Sequence, residues 1–132
     1  GTIFFSIKNR DKNSEAIDIA KTIIDLGFTI LATKGTREFL GKNMIRSELT
    51  RKVYEDNPNI IDAINNGMVH LVFNTTEGIK AISDSKEIRA KALNLKIPYY
   101  TTLAGISAAV QAMKQDLLTS SEITPIQTFS VQ

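Results

Sequence analysis

Apolar residues along this chain follow two rhythms. Some stand in short unbroken runs, "TIFFS" at Thr2–Ser6, "FTILAT" from Phe28 and "MVHLVFN" from Met68. Others recur every three or four residues. Ala16, Ile17, Ala20, Ile23, Ile24 and Leu26 do so, and Gly27 follows as a C′ residue. Ile106, Val110, Met113 and Leu117 fall at i, i+4, i+7 and i+11, an amphipathic helix. Unbroken runs suit strands covered on both faces, and the second rhythm suits helices.

Between these, "IKNRDKN" reads as a polar loop, and Glu38, Phe39 and Leu40 predict a short helix ended by Gly41. The stretch "NMIRSELTRKVYEDNPN" is the least regular; part reads as extended, with a turn at Asn57-Pro58. Ile60, Ile61 and Ile64 predict a short helix stopping at Asn66-Gly67. Asp84 is placed to cap the next helix, with Glu87 three residues on and Ile88, Ala92 and Leu95 on its inner face. "IPYYT" closes the series as a strand. Strands alternating with helices need crossover connections. The expected fold class is α/β, a mainly parallel sheet with helices on both faces.

In such sheets ligands bind beyond the carboxyl ends of the strands. The first strand is followed by Ser6, Lys8, Arg10 and Lys12. The second is followed by Thr33-Lys34-Gly35-Thr36, the central one by Asn74-Thr75-Thr76-Glu77-Gly78 and the last by Thr101-Thr102. Hydroxyls, helix-start N–H groups and a lysine are what a phosphate oxygen needs. Gly35 and Gly78 allow close approach of the backbone. A single Thr-rich exit reads as a helix cap. Four on one edge bring an anion pocket level with that reading, although none is a P-loop or a G-x-G-x-x-G fingerprint.

Size and charge narrow the field. The 132 residues suit one domain, taken as 1–132; because it begins directly on a strand-like run at Thr2, it is expected to be cut from a longer chain. Hydrophobic residues at 42% can build one core, while a net charge of +2 without a basic stripe gives no reason to expect nucleic acid. Absence of cysteine excludes disulfides and thiolate chemistry, and fits a cytoplasmic location. No run is long enough to span a membrane. His70 reads as a satisfied strand histidine, Asp56 and Asp62 as solvated, Met44, Met68 and Met113 as core fillers, and no metal site is expected.

The blocks "GFTILATKGTREFLG", "VFNTTEGIKAISDSKEIRAKALNLKIPYYTTLAG" and "ITPIQTFSVQ", in this order, resemble the methylglyoxal synthase-like domain family. They are most similar to the C-terminal allosteric domain of carbamoyl phosphate synthetase large subunits. The resemblance implies a three-layer, Rossmann-like fold with a five-stranded parallel sheet. It also implies a nucleotide-monophosphate pocket at the strand ends, filled in bacterial members by UMP as inhibitor or IMP as activator. Carried over, the effector-binding positions are Ser6, Lys12, Thr33, Thr36, Lys52, Asn74, Thr75, Thr76 and Ser85. Lys34 joins them, standing where a bacterial histidine is common. No catalytic residue and no cofactor are implied within these residues; the parent would use ATP and Mg. The implied partners are the synthetase body and the glutaminase small subunit, with a homo-oligomer as an open alternative. The enzymatic branch of the family resembles this chain less. Its Gly-Gly-Asp motif is absent from "NMIRSELTRKV", its histidine position falls near Ala81, and Asp84 alone matches an acidic position.

Overall fold

The computed structural model describes residues 1–50, 59–75 and 79–123, with side chains outside the description at 79–84 and 120–123. Within them the chain runs β1 (Thr2–Ser6), a 3-10 turn (Asn9–Asp11), α1 (Ser14–Asp25), β2 (Thr29–Ala32), α2 (Lys34–Lys42) and β3 (Glu48–Leu49). It continues α3 (Ile60–Asn65), β4 (Leu71–Asn74), α4 (Ile79–Asn94), β5 (Tyr99–Tyr100) and α5 (Leu103–Ile123). The five strands form one sheet in the order β3-β2-β1-β4-β5, every neighbouring pair parallel. The chain winds outward from β1 to β3, then crosses back to β4 and β5. The reversal falls between β1 and β4, where this class of fold opens a crevice.

The unbroken apolar runs explain the centre of the sheet. Ile3, Phe4, Phe5, Ile30, Val72 and Phe73 have almost no exposed surface, because helices cover both faces. Alternate side chains serve different layers. Ile3, Phe5, Ile30, Ala32 and Phe73 pack with Ile19 and Ile23 of α1, Leu40 of α2 and Ile106 and Val110 of α5. Phe4, Leu31 and Val72 pack with Ile60 and Ile64 of α3 and Ile88 and Ala92 of α4. Phe5, Phe73 and Tyr100 share one rung and meet edge to face, with centroids 6.4 and 5.5 Å apart. Such contacts add about 0.5–1.5 kcal/mol each beyond the area they bury.

Helices α1 to α4 end in one way. After α1 the N–H of Gly27 donates to the Ile24 carbonyl and that of Phe28 to the Ile23 carbonyl, a Schellman turn. The same pair of bonds closes α2 at Met44 and Ile45, α3 at Gly67 and Met68, and α4 at Lys96 and Ile97. The residue in the left-handed position is Gly27, Met44, Gly67 or Lys96, with φ of 92°, 62°, 72° and 59°.

Several expectations are corrected. Gly41 does not end α2, which runs on to Lys42 with Asn43 as its C-cap. Asp84 lies inside α4, five residues past its start, and not at a cap position. Met44 and Met68 are exposed rather than core fillers, as are Leu95 and Leu117, while Met113 does pack against the core. His70 stands just before β4 and is exposed; its Nδ1 accepts the N–H of Thr2 at 3.0 Å. Among the described residues no helix is long and apolar enough to cross a membrane. The expected turn at Asn57-Pro58 lies outside the described residues, as does all but the first residue of "ITPIQTFSVQ".

Candidate functional site at the strand exits

The parallel registers align the strand ends. Ser6 pairs with Asn74, Phe5 with Ala32, Ala32 with Leu49 and Phe73 with Tyr100. One step further, the rung reads Thr50, Thr33, Ser6, Asn74, Thr101, all hydroxyl or amide side chains. It lies directly beyond the aromatic rung. Thr33, Thr50 and Asn74 are buried and Ser6 is half-buried. A polar row at this depth has to be hydrogen-bonded or turned toward a ligand.

Its centre is joined up. Ser6 Oγ and Thr33 Oγ1 share a hydrogen bond of 3.1 Å. The segment leaving β1 is held from both sides: the buried N–H of Ile7 donates to Thr36 Oγ1 at 3.1 Å, and that of Lys8 to Thr75 Oγ1 at 2.9 Å. The N–H of Thr75 in turn donates to the Ser6 carbonyl at 3.0 Å. Asn74 Nδ2 donates to Ser85 Oγ of α4 at 3.0 Å and to the Tyr99 hydroxyl at 2.9 Å. Each hydroxyl that accepts a backbone N–H keeps its own proton to donate. Thr36 and Thr75 can therefore fix the loop and still face an anion.

The start of α2 completes the crevice. Thr33 is its N-cap, in extended conformation, yet its side chain makes no capping bond. The hydroxyl is turned to Ser6 instead. A capping side chain would occupy the N–H of the second or third helical residue, here Gly35 or Thr36. The helix dipole adds partial positive charge at this point. Lys12 reinforces it: a Cβ built on Gly35 would stand 3.2 Å from Lys12 Nζ, so the ammonium lies against the first turn. Lys12 Nζ also donates to Asn9 Oδ1 at 2.8 Å.

Of the sequence-derived positions, Ser6, Thr33, Thr36, Asn74, Thr75 and Ser85 are brought together with Lys12. Lys34 opens α2 and is exposed, with no hydrogen bond among the described residues to the others. Lys52 and Thr76 lie outside the described residues. Tyr99 and Thr50 were not legible as site residues. Tyr99 reads as an ordinary strand aromatic, and only the position of β5 beside β4 carries its hydroxyl to Asn74. Thr102 is a plain cap, its Oγ1 accepting the Gly105 N–H at 3.0 Å. Among the described residues no three His, Asp or Glu side chains come together as a metal group would need.

The family profile "MGS-like domain" matches residues 15–101. The carbamoyl phosphate synthase large chain of Mesorhizobium japonicum is 44% identical over 129 residues, 98% of this chain and 11% of that protein. The C-terminal section of the carbamoyl phosphate synthase large chain of Methanocaldococcus jannaschii is 44% identical over 115 residues, 86% of this chain and 18% of that protein. This chain thus spans less than a fifth of the length of either relative. The crystal structure of ForH superimposes with a TM-score of 0.62 over 87% of this chain and 80% of that one, at 12% identity, which is a likeness of fold.

Proposed function

The chain belongs to the MGS-like domain family, and from that premise we propose that it is an effector-binding regulatory domain. Its ligand is a nucleoside monophosphate, UMP or IMP, held at the exits of β1, β2 and β4. Its parent is a carbamoyl phosphate synthase large chain, which uses ATP and Mg and takes ammonia from a glutaminase subunit, serving pyrimidine and arginine synthesis. The likeness to large chains from two organisms supports the parentage.

The observation that carries the reading is the open start of α2. Thr33 leaves the first turn without a side-chain cap, and Lys12 Nζ lies against Gly35. Donors and charge there suit a doubly charged phosphoryl group. The hydroxyls of Thr36 and Thr75 can each give a proton to the same oxygens. A ligand that grips one conformation of the parent better than another shifts the balance by a coupling energy of typically ~1–3 kcal/mol.

A thermal-shift panel with UMP, IMP, orotate, arginine, ornithine and N-acetylglutamate tests it. Ligand at a hundred times its dissociation constant adds about 2.7 kcal/mol to stability. A shift with UMP or IMP, reduced in Lys12→Ala, is expected. No shift with either at low salt overturns the reading. So does phosphate release from dihydroxyacetone phosphate that is lost in Asp84→Ala, since that is the reaction of a methylglyoxal synthase-type lyase.

A further inference from the structure

Resting on that reading of the rim, we propose that Tyr99 is a positioning residue of the site, fixing the amide of Asn74 for the ligand. Asn74 is 4% exposed and closes β4 at the reversal point of the sheet. A buried primary amide offers two donors and one acceptor oxygen. Both donors are spent, on Ser85 Oγ and on the Tyr99 hydroxyl. Oδ1 makes no hydrogen bond among the described residues. The amide is thus gripped by one atom, and the other is left to accept from a hydroxyl or N–H of a bound molecule.

The grip is itself braced. Tyr99 pairs with Val72, two rungs before Asn74 on the same face of the sheet, and its ring packs against the cluster of α3 and α4. The phenol spans the step from β5 to the end of β4, a reach that phenylalanine lacks by one oxygen. Arg89, one helical turn past Ser85, lays its guanidinium 5.0 Å from the Tyr99 ring centroid. Helix α4 therefore holds Asn74 twice, directly through Ser85 and through Arg89 and Tyr99. Nothing in the sequence separates Tyr99 from Tyr100, whose ring serves the opposite layer.

Tyr99→Phe keeps the ring and its stacking and removes one anchor. Affinity for UMP and IMP is measured by calorimetry on the 132-residue chain, for Tyr99→Phe, Asn74→Ala and the double variant. The tyrosine change should weaken nucleotide binding about three- to tenfold when Asn74 is present, as one lost hydrogen bond does. In the Asn74→Ala background it should cost less than about twofold. Equal losses in both backgrounds, or no loss beside a wild type that binds, overturn the proposal. Side-chain amide resonances of Asn74 in ligand-free protein give a readout that needs no nucleotide. They should be a single sharp pair in the wild type and broaden or shift in Tyr99→Phe and in Ser85→Ala; unchanged resonances overturn the proposal. If no nucleotide binds the wild type, the functional reading falls and the resonances still decide the role of Tyr99.

Discussion

The start of α2 and the starts of α1, α3 and α5 are made from the same residue types and are used differently. Asn13 caps α1, its side chain accepting from the Ala16 N–H. Asn59 caps α3 in a reciprocal box with Asp62, and the Thr102 hydroxyl takes the Gly105 N–H at the head of α5. Thr33 has the same chemistry and the same extended backbone, but its hydroxyl goes to Ser6. The three capped starts close the helix onto its own side chain. The fourth opens its first turn toward the crevice, with a lysine against it. Cap residues are thus no sign of a site; the proposed one rests on a cap residue that declines to cap, at the carboxyl edge of a parallel sheet.

The largest expected effect lies where both uses meet. Thr36 Oγ1 is the partner of the buried Ile7 N–H. Thr36→Val is close in shape and leaves that N–H without an acceptor, at a cost of about 1–3 kcal/mol. Chemical denaturation should show the loss without ligand, and nucleotide affinity should fall as well. A variant as stable as the wild type would mean that water replaces the hydroxyl, and the rim would be looser than its hydrogen bonds indicate.

The capped starts should behave in the opposite manner. Asn59→Ala removes acceptor bonds to the Ile61 and Asp62 N–H groups, and should cost about 0.5–2 kcal/mol. Nucleotide affinity should stay as it is, because the Asn59 side chain is committed to the first turn of its own helix. An affinity loss in Asn59→Ala would break the division into closed and open starts.

Gly35→Ala sharpens the division from the other side. The new methyl would crowd Lys12 Nζ at 3.2 Å, the movable end of a long side chain. Alanine also favours the helix by up to about 1 kcal/mol over glycine. Ligand-free stability should therefore hold or rise by a few tenths of a kcal/mol, while nucleotide affinity drops as the ammonium is displaced. Stability and affinity falling together would assign Gly35 to folding alone.

How far the sequence showed this can be traced residue by residue. The runs around Phe4, Ile30 and Val72 were legible as strands because a sheet covered on both faces tolerates little else there. Gly27 was legible as a helix end, and Gly41 misled because the same residue can sit inside a helix whose neighbours Phe39 and Leu40 are anchored in the core. Met44 misled for another reason. Hydrophobicity does not tell which residue of a Schellman turn points inward; at the end of α2 it is Ile45, and Met44 is left 95% exposed. Leu117 keeps the helical period but lies beyond the reach of its partner. The 21 residues of α5 extend about 32 Å against about 18 Å for the 12 of α1. At the site, residue types and edge were legible from the strand exits. The partners were not, since the Ile7–Thr36 and Lys8–Thr75 bonds join residues 29 and 67 positions apart.

The smallest effect concerns the helix ends, which are alike where the starts are not. Gly27, Met44, Gly67 and Lys96 take one left-handed position in four copies of one turn. A side chain there costs about 1–2 kcal/mol in local backbone energy. Replacing it by glycine recovers that cost but gives the unfolded chain more freedom, which opposes the gain. Met44→Gly and Lys96→Gly should therefore raise stability by only a few tenths of a kcal/mol. Met44 sheds almost no buried surface in the exchange, since its side chain is solvated. Gly27→Ala is the mirror test: it has open space around the new methyl, so any loss comes from φ of 92° and not from crowding. Nucleotide affinity should not move in any of the three. A loss in Met44→Gly larger than in Gly27→Ala would mean that the exposed methionine packs on something in solution, and the helix ends would no longer be a uniform background to the open start of α2.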